Sequence, residues 1–339
     1  MAYRYLGNKT RIADWIADEV FAVLGAKGAI ADPMCGTATM AERFAQRGYA
    51  VTASDELLFP TLHAKARLLD LSDEDFKPVV GSYSEAVQLL NSANPTRGYF
   101  WSEFSDEGTP SNGSRPRMYF TGANAAKIDA VRGLLQAWRS DGMNENALDR
   151  LLHDLLLAVN EVANIAGTYG YYRSSWNKAS LRPLRVVASP VHSFTKQHAV
   201  LRGKVEDLAT SFAVDAVYLD PPYTKRQYGG NYHILETIAR GDEPDPVGEG
   251  GLRDWYSNSS DFCFKRKAPA ALSSTLQSLP SRYVFMSYSE DGVMSTDTIQ
   301  EILTSFGNVE IHHQALQRFR SNGGKAGPVM EQLYILEKV

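Results

Sequence analysis

Val214-Asp215-Ala216-Val217-Tyr218-Leu219-Asp220-Pro221-Pro222-Tyr223 is the stretch whose reading decides the fold. Apolar and β-branched residues run up to a carboxylate, two prolines follow, and an aromatic closes the run. Proline has no N–H and holds φ near about −65°, so a strand ladder stops there in a rigid loop. Open α/β sheets bind ligands at the carboxyl ends of their strands. This loop would present one carboxylate and one aromatic face at such an edge. The plain alternative is a structural turn at a strand end, and the rest of the chain argues against it.

At 339 residues the chain has room for one large domain or two. Its 44% hydrophobic and 22% charged residues are those of a soluble globular protein with a sizeable core. The net charge of −4 means that any surface for nucleic acid must be local. Cys35 and Cys263 are too few for a disulfide framework and point to a reducing cytoplasm. Met1 to Arg11 contains no apolar signal region. His153, Asp154, Asn160 and Glu161 break the most apolar helical stretch, so neither a signal peptide nor a membrane span is expected. No repeat or metal-ligand cluster stands out, and no metal is expected; the adjacent His312 and His313 face opposite sides of a strand.

The chain opens on a short polar loop, Tyr3-Arg4-Tyr5-Leu6-Gly7-Asn8-Lys9-Thr10-Arg11. It leads into Ile12, Trp15, Ile16, Val20, Phe21 and Leu24 at helical spacing. A Gly-Asn-Lys loop ahead of a helix can present N–H groups and an ammonium to a carboxylate. Ala29-Ile30-Ala31-Asp32 then reads as a strand, Pro33-Met34-Cys35-Gly36-Thr37-Ala38-Thr39 as a turn of mostly small residues, and Met40 and Phe44 begin a helix. Small turn residues let a ligand approach the backbone closely. Tyr49 to Glu56 is a second strand ending in acid, about 20 residues after the turn, a spacing at which a carboxylate accepts from ribose hydroxyls. Two such strands around a helix indicate a nucleoside-binding βαβ unit.

From about Leu71 to Val200 the βαβ rhythm lapses. Residues 94–117 read as loop, and residues 128–138 and 148–166 as amphipathic helices. Between Val162 and Val205 stand Arg173, Lys178, Arg182, Arg185, Lys196, Arg202 and Lys204, with no Asp or Glu, interleaved with Tyr169, Tyr171, Tyr172 and Trp176. A solvated basic face is the plain reading. In an otherwise acidic chain the pattern favours a phosphate-facing surface. After Tyr223, residues 224–233 read as a mobile polar and aromatic loop carrying Lys225, Arg226, Tyr228 and Asn231, with His233 as a structural hydrogen-bonder rather than a base. Residues 241–251 read as a Gly/Pro/acid lid. A strand over 282–288, a helix around 298–306 and strands over 309–319 and 332–336 suggest a terminal antiparallel hairpin.

With these residues in hand, the chain resembles the S-adenosylmethionine-dependent adenine-N6 DNA methyltransferases of restriction–modification systems. Asp220-Pro221-Pro222-Tyr223 matches that family's catalytic motif, and it is the specific part of the resemblance. Asp32-Pro33-Met34-Cys35-Gly36-Thr37 resembles the cofactor motif, and Asp55 the ribose-binding acid. Tyr5-Leu6-Gly7-Asn8-Lys9 resembles the N-terminal motif that contacts the methionine part of the cofactor. The chain departs from the pattern in carrying Ala38 where relatives often have a second glycine. It also has Lys204 after Gly203 where relatives often have an acid near the cofactor adenine, a role left to Glu206 or Asp207.

The resemblance implies an α/β fold: a Rossmann-like, seven-stranded, mostly parallel sheet with a C-terminal antiparallel hairpin, plus an inserted, mainly helical lobe. Residues 1–70 and 200–339 would form the catalytic domain, and 71–199 a target-recognition lobe. It implies S-adenosyl-L-methionine as cofactor and double-stranded DNA as partner, contacted by Arg173, Trp176, Lys178, Arg182, Lys225, Arg226, Tyr228 and Asn231. A bacterial or phage-type cytoplasmic setting follows, with the oligomeric state and a paired restriction endonuclease left open. Asp220 and the Pro221 carbonyl would accept from the adenine amine, localising its lone pair for in-line attack. The base would be flipped out and stacked on Tyr223. Other acceptors, cytosine N4, RNA adenine or protein glutamine, stand as alternatives, as does a non-catalytic nucleic-acid-binding subunit; intact Asp220 and Asp55 speak against the last.

Overall fold

The computed structural model describes residues 4–77, 79–317 and 328–339. Two compact units are distinguished: Gly7–Glu56, Phe194–Gln227 and Ser259–Val339 form one, and Met1–Leu6, Leu57–Ser193 and Tyr228–Asn258 the other.

The first unit carries the sheet. Its strands are β1 (Ala29–Asp32), β2 (Ala50–Asp55), β3 (Ala199–Arg202), β4 (Ala216–Leu219), β5 (Tyr283–Ser289), β6 (Gly307–Gln317) and β7 (Pro328–Lys338). They lie in the order β3-β2-β1-β4-β5-β7-β6. The first five pair in parallel, and β7 runs antiparallel to both β5 and β6. This is the expected α/β architecture, seven strands with an antiparallel C-terminal pair. Of the strand expected over 309–319, Arg318 and Phe319 lie outside the described residues, as does Tyr3.

All four residues of β4 are buried, as a parallel central strand requires. Val217 and Leu219 pack into a core with Leu272, Leu276, Ile299 and Leu303 from the helices Ala268–Ser278 and Thr296–Thr304. On the opposite face, Tyr218 meets Phe44 of the helix Thr39–Gln46 edge to face at 5.6 Å. Strand alternation thus places helices on both faces of the sheet. Chain order reverses between β1 and β4, and sheets of this kind bind ligands outside the carboxyl ends of the strands at such a point. Because β1, β2 and β4 are parallel, Asp32, Asp55 and Asp220 arrive at one edge.

The second unit is helical. The helices Leu58–Leu68, Tyr83–Ser92, Gly122–Ser140, Glu145–Val162 and His233–Arg240 share one apolar core. Oxygen caps start three of them: Ser82 accepts from Glu85 N, Thr121 from Asn124 N and Asn144 from Asn146 N. Leu58–Leu68 has no side-chain cap of its own. The Glu236 carboxylate caps it from another helix, accepting from Leu58 N at 2.9 Å and Phe59 N at 3.1 Å. These compact units divide the chain differently from the boundaries expected at 70 and 200. Residues 57–70 and 228–258 join the middle segment because their apolar faces, Phe59, Leu62, Ile234, Leu235 and Ile238 among them, complete its core.

Two loops expected to move each carry a hydrogen-bonded anchor. In the loop 241–251, Glu249 O accepts from Nε of buried Arg117 at 2.9 Å, and Arg117 Nη1 pairs with Glu103 at 2.7 Å. In the polar loop after Tyr223, buried Gln227 exchanges two hydrogen bonds with the Ser260 backbone at 2.8 and 3.0 Å.

Candidate active site at the carboxyl edge of the sheet

Asp220 follows the last residue of β4, where Pro221 and Pro222 end the ladder. The helix Ala13–Leu24 is preceded by a tight loop, with Gly7 at φ 75° and Asn8 Oδ1 accepting from Thr10 N at 2.8 Å. That loop aims Lys9 inward. Its ammonium is buried, stands 3.0 Å from Asp220 Oδ1 and donates to Glu331 Oε1 at 2.6 Å. It also lies over the Tyr223 ring, 5.2 Å from the centroid. The ammonium expected to meet a carboxylate meets two, both of the chain itself.

A hydroxyl relay completes the surroundings of Asp220. Ser287 Oγ donates to Asp220 Oδ1 at 3.2 Å and lies 2.7 Å from the Tyr218 hydroxyl. Since serine has one proton and gives it to Asp220, Tyr218 must donate to Ser287. Burial, and then the Asp220 charge, hold the Tyr218 pKa well above its ordinary value, so the phenol keeps its proton. Burial also pushes the Asp220 carboxyl up to about 6; Lys9 opposes this rise and Glu331 adds to it. For Lys9, burial favours the neutral amine, but Asp220 and Glu331 outweigh it and hold its pKa well above the usual lysine value. Tyr223 packs edge to face against Tyr288 at 6.0 Å, and its carbonyl accepts from Val293 N at 3.0 Å.

The turn after β1 lies beside the end of β2. Cys35 N donates to Ser54 O at 3.0 Å, and Gly36 N to Asp55 Oδ2 at 3.1 Å. Pro33 O accepts from Ser54 Oγ at 3.2 Å. Ala38 is the one non-glycine residue with positive φ among the described residues (φ 57°, ψ 25°). The position where the resemblance leads one to expect a glycine therefore takes the left-handed conformation, at a cost of roughly 1–2 kcal/mol for alanine. Asp32 is almost fully buried, and no hydrogen bond of normal geometry from the described residues reaches either carboxylate oxygen. Burial, then the charges of Asp220 and Asp55, hold its pKa well above the carboxylate range. The Cys35 thiol is raised by burial first and by the same neighbouring acids Asp55 and Asp32, which makes it unreactive.

The remaining expected site residues are spread more widely. Tyr5 and Leu6 belong to the helical unit: Tyr5 stacks on Tyr232 at 4.8 Å, and Leu6 N donates to Tyr232 OH at 2.7 Å. Glu206 and Asp207 are exposed on the short helix Val205–Leu208, near Glu56. Arg173, Lys178 and Arg182 are exposed, with Arg182 3.4 Å from Glu161. Trp176 is half-buried, and Lys225 and Arg226 are exposed. Tyr228 donates to Leu6 O at 3.0 Å, and Asn231 Oδ1 accepts from Thr168 Oγ1 at 2.8 Å, so both side chains are engaged in holding the helical unit together. His233 is fully buried against Tyr169 O at 2.9 Å, and burial lowers its pKa to about 3. It is the structural hydrogen-bonder that its sequence setting suggests.

Sequence reasoning missed Glu331, Ser287 and the Tyr218 hydroxyl. Glu331 enters because β7 begins at the carboxyl edge, where it pairs with Ser289 at the end of β5. No local signal marks it.

Among known proteins, the chain is 29% identical over 343 residues to the Type II methyltransferase M.NlaIII of Neisseria lactamica, covering 98% of this chain and 99% of that one. It is also 29% identical to the Modification methylase StsI of Streptococcus sanguinis and to the Type II methyltransferase M.FokI of Planomicrobium okeanokoites. Each of those matches covers 99% of this chain but 52% of the relative, so the chain spans about half their length. A family model described as D12 class N6 adenine-specific DNA methyltransferase matches residues 5–315. The chain belongs to the D12 class N6 adenine-specific DNA methyltransferase family.

Proposed function

We propose that this chain transfers the methyl group of S-adenosyl-L-methionine to N6 of an adenine flipped out of double-stranded DNA. The observation that carries the reading is the buried cluster around Asp220, where Lys9 and Ser287 meet Oδ1 and no hydrogen bond from the described residues meets Oδ2.

The residues present suit the cofactor. Asp32 is a buried carboxyl without a hydrogen-bond partner of normal geometry among the described residues, which suits a cationic ligand group. Asp55 stands at the end of β2, where an acid accepts from ribose hydroxyls. The turn 33–38 and the loop 7–9 would complete the binding surface. The bound cofactor supplies a sulfonium methyl with a good leaving group.

The chain's own residues do the rest. An exocyclic adenine amine is a weak nucleophile because its lone pair is delocalised into the ring. Asp220 and the Pro221 carbonyl accept from its N–H groups, localise the lone pair and fix its direction. Preorganised acceptors of this kind lower a barrier without reorganising during the reaction. Tyr223 stacks on the extruded base, a contact of about 1–3 kcal/mol. Arg173, Trp176, Lys178 and Arg182, with Lys225 and Arg226, contact DNA.

The test is to incubate DNA with methyl-labelled cofactor and analyse the digested nucleosides. Label on N6-methyladenine is the expected result. Label on N4-methylcytosine or on protein, or no transfer at all, would overturn the reading.

A further inference from the structure

Glu331 comes from an antiparallel strand near the end of the chain, yet it makes the shortest polar contact in the Asp220 cluster, 2.6 Å to Lys9 Nζ. An ammonium has three protons. One goes to Glu331, one faces Asp220 Oδ1 at 3.0 Å, and the charge lies over the Tyr223 ring. Asp220 Oδ1 therefore has two donors, Lys9 and Ser287, and Oδ2 has none among the described residues. Were Glu331 absent, the ammonium charge would fall on Asp220, the other carboxylate it pairs with among the described residues, and would weaken that group as an acceptor.

Resting on the reading above, we infer that Glu331 is a positioning residue for methyl transfer. It shares the Lys9 ammonium with Asp220, holds it on Oδ1, and so leaves Oδ2 as the acceptor for the adenine amine. Glu331 touches neither base nor cofactor in this role; it acts through Lys9. The groups that face Asp220 come from five places: Lys9 from the loop before the first helix, Asp32 from β1, Tyr218 from β4, Tyr223 from the diproline loop and Glu331 from β7. Of these, Glu331 is the one whose charge both raises the Asp220 pKa and supports Lys9.

Glu331→Gln keeps the shape of the side chain and removes its charge. Single-turnover transfer at saturating DNA and cofactor should fall at least tenfold. The acidic limb of the rate–pH profile should move to lower pH, because Asp220 loses a like-charged neighbour while keeping Lys9. Apparent affinities for DNA and cofactor should stay within about threefold of wild type. Glu331→Asp keeps the charge and withdraws the carboxylate by one methylene. It should leave the limb in place but lower the rate several-fold, and it decides the matter alone should the Gln variant not fold. An unmoved limb in Glu331→Gln, or a wild-type rate in Glu331→Asp, overturns the inference. If wild-type enzyme places no label on adenine N6, it is the proposed reaction that fails, and the two failures are told apart by the nucleoside analysis.

Discussion

Replacing Asp220 by alanine separates chemistry from binding. The structure makes this substitution interpretable, since Lys9 would keep its 2.6 Å contact with Glu331 and would not be left as an uncompensated buried charge. The fold should therefore survive. A hydrogen bond to a charged group contributes about 1.5–3 kcal/mol, which is roughly 10- to 150-fold in rate. Removing a preorganised group that meets developing charge costs about 10²–10³ in comparable sites. Methyl transfer in Asp220→Ala should thus fall at least a hundredfold. DNA and cofactor affinities should stay within about tenfold, or about 1.4 kcal/mol, because the contact strengthens chiefly in the transition state. Single-turnover rates with labelled cofactor at saturating DNA give the first quantity, and titrations give the second. A near wild-type transfer rate would refute the mechanism whatever the fold.

Asp55→Ala should weaken cofactor binding by about 1.5–3 kcal/mol, and calorimetry that finds unchanged affinity would remove Asp55 from the site. The Asp32 carboxyl holds its proton more tightly folded than unfolded, chiefly through burial. Its contribution to stability is therefore complete below about pH 4 and shrinks as pH rises. Asp32→Asn removes that titration, so the Tm difference, variant minus wild type, should widen in the variant's favour with rising pH; parallel curves would contradict the assignment. Replacing Arg173, Lys178 and Arg182 together should weaken binding to any duplex and flatten its log–log salt dependence by about 0.9 per lost phosphate contact. An unaltered slope would mean that the stretch is a solvated face, and Arg182, which pairs with Glu161, should contribute least.

What the sequence determines by itself is the set of strand-to-loop junctions. A run of mostly apolar residues ending in Asp32, Asp55 or Asp220, closed by proline after Asp32 and Asp220 and by a second acid after Asp55, specifies a parallel strand with an acid at its carboxyl end. This works because burial on both faces and the missing proline N–H are local constraints. Parallel pairing then brings the three acids to one edge, as expected. The terminal hairpin is legible because two strand-forming runs follow the last helix with only a loop between them. Only the tertiary structure decides the partners of Asp220. Lys9 and Glu331 are 322 residues apart and meet because β7 enters the sheet antiparallel at its carboxyl edge. The same holds for the division of the chain into units. Residues 228–258 follow the catalytic loop in sequence, yet they pack with the middle segment, since the Glu236 carboxylate caps Leu58–Leu68 and the apolar face of His233–Arg240 completes that core. Burial area and charge compensation are summed over the whole chain, and no window of neighbouring residues contains them.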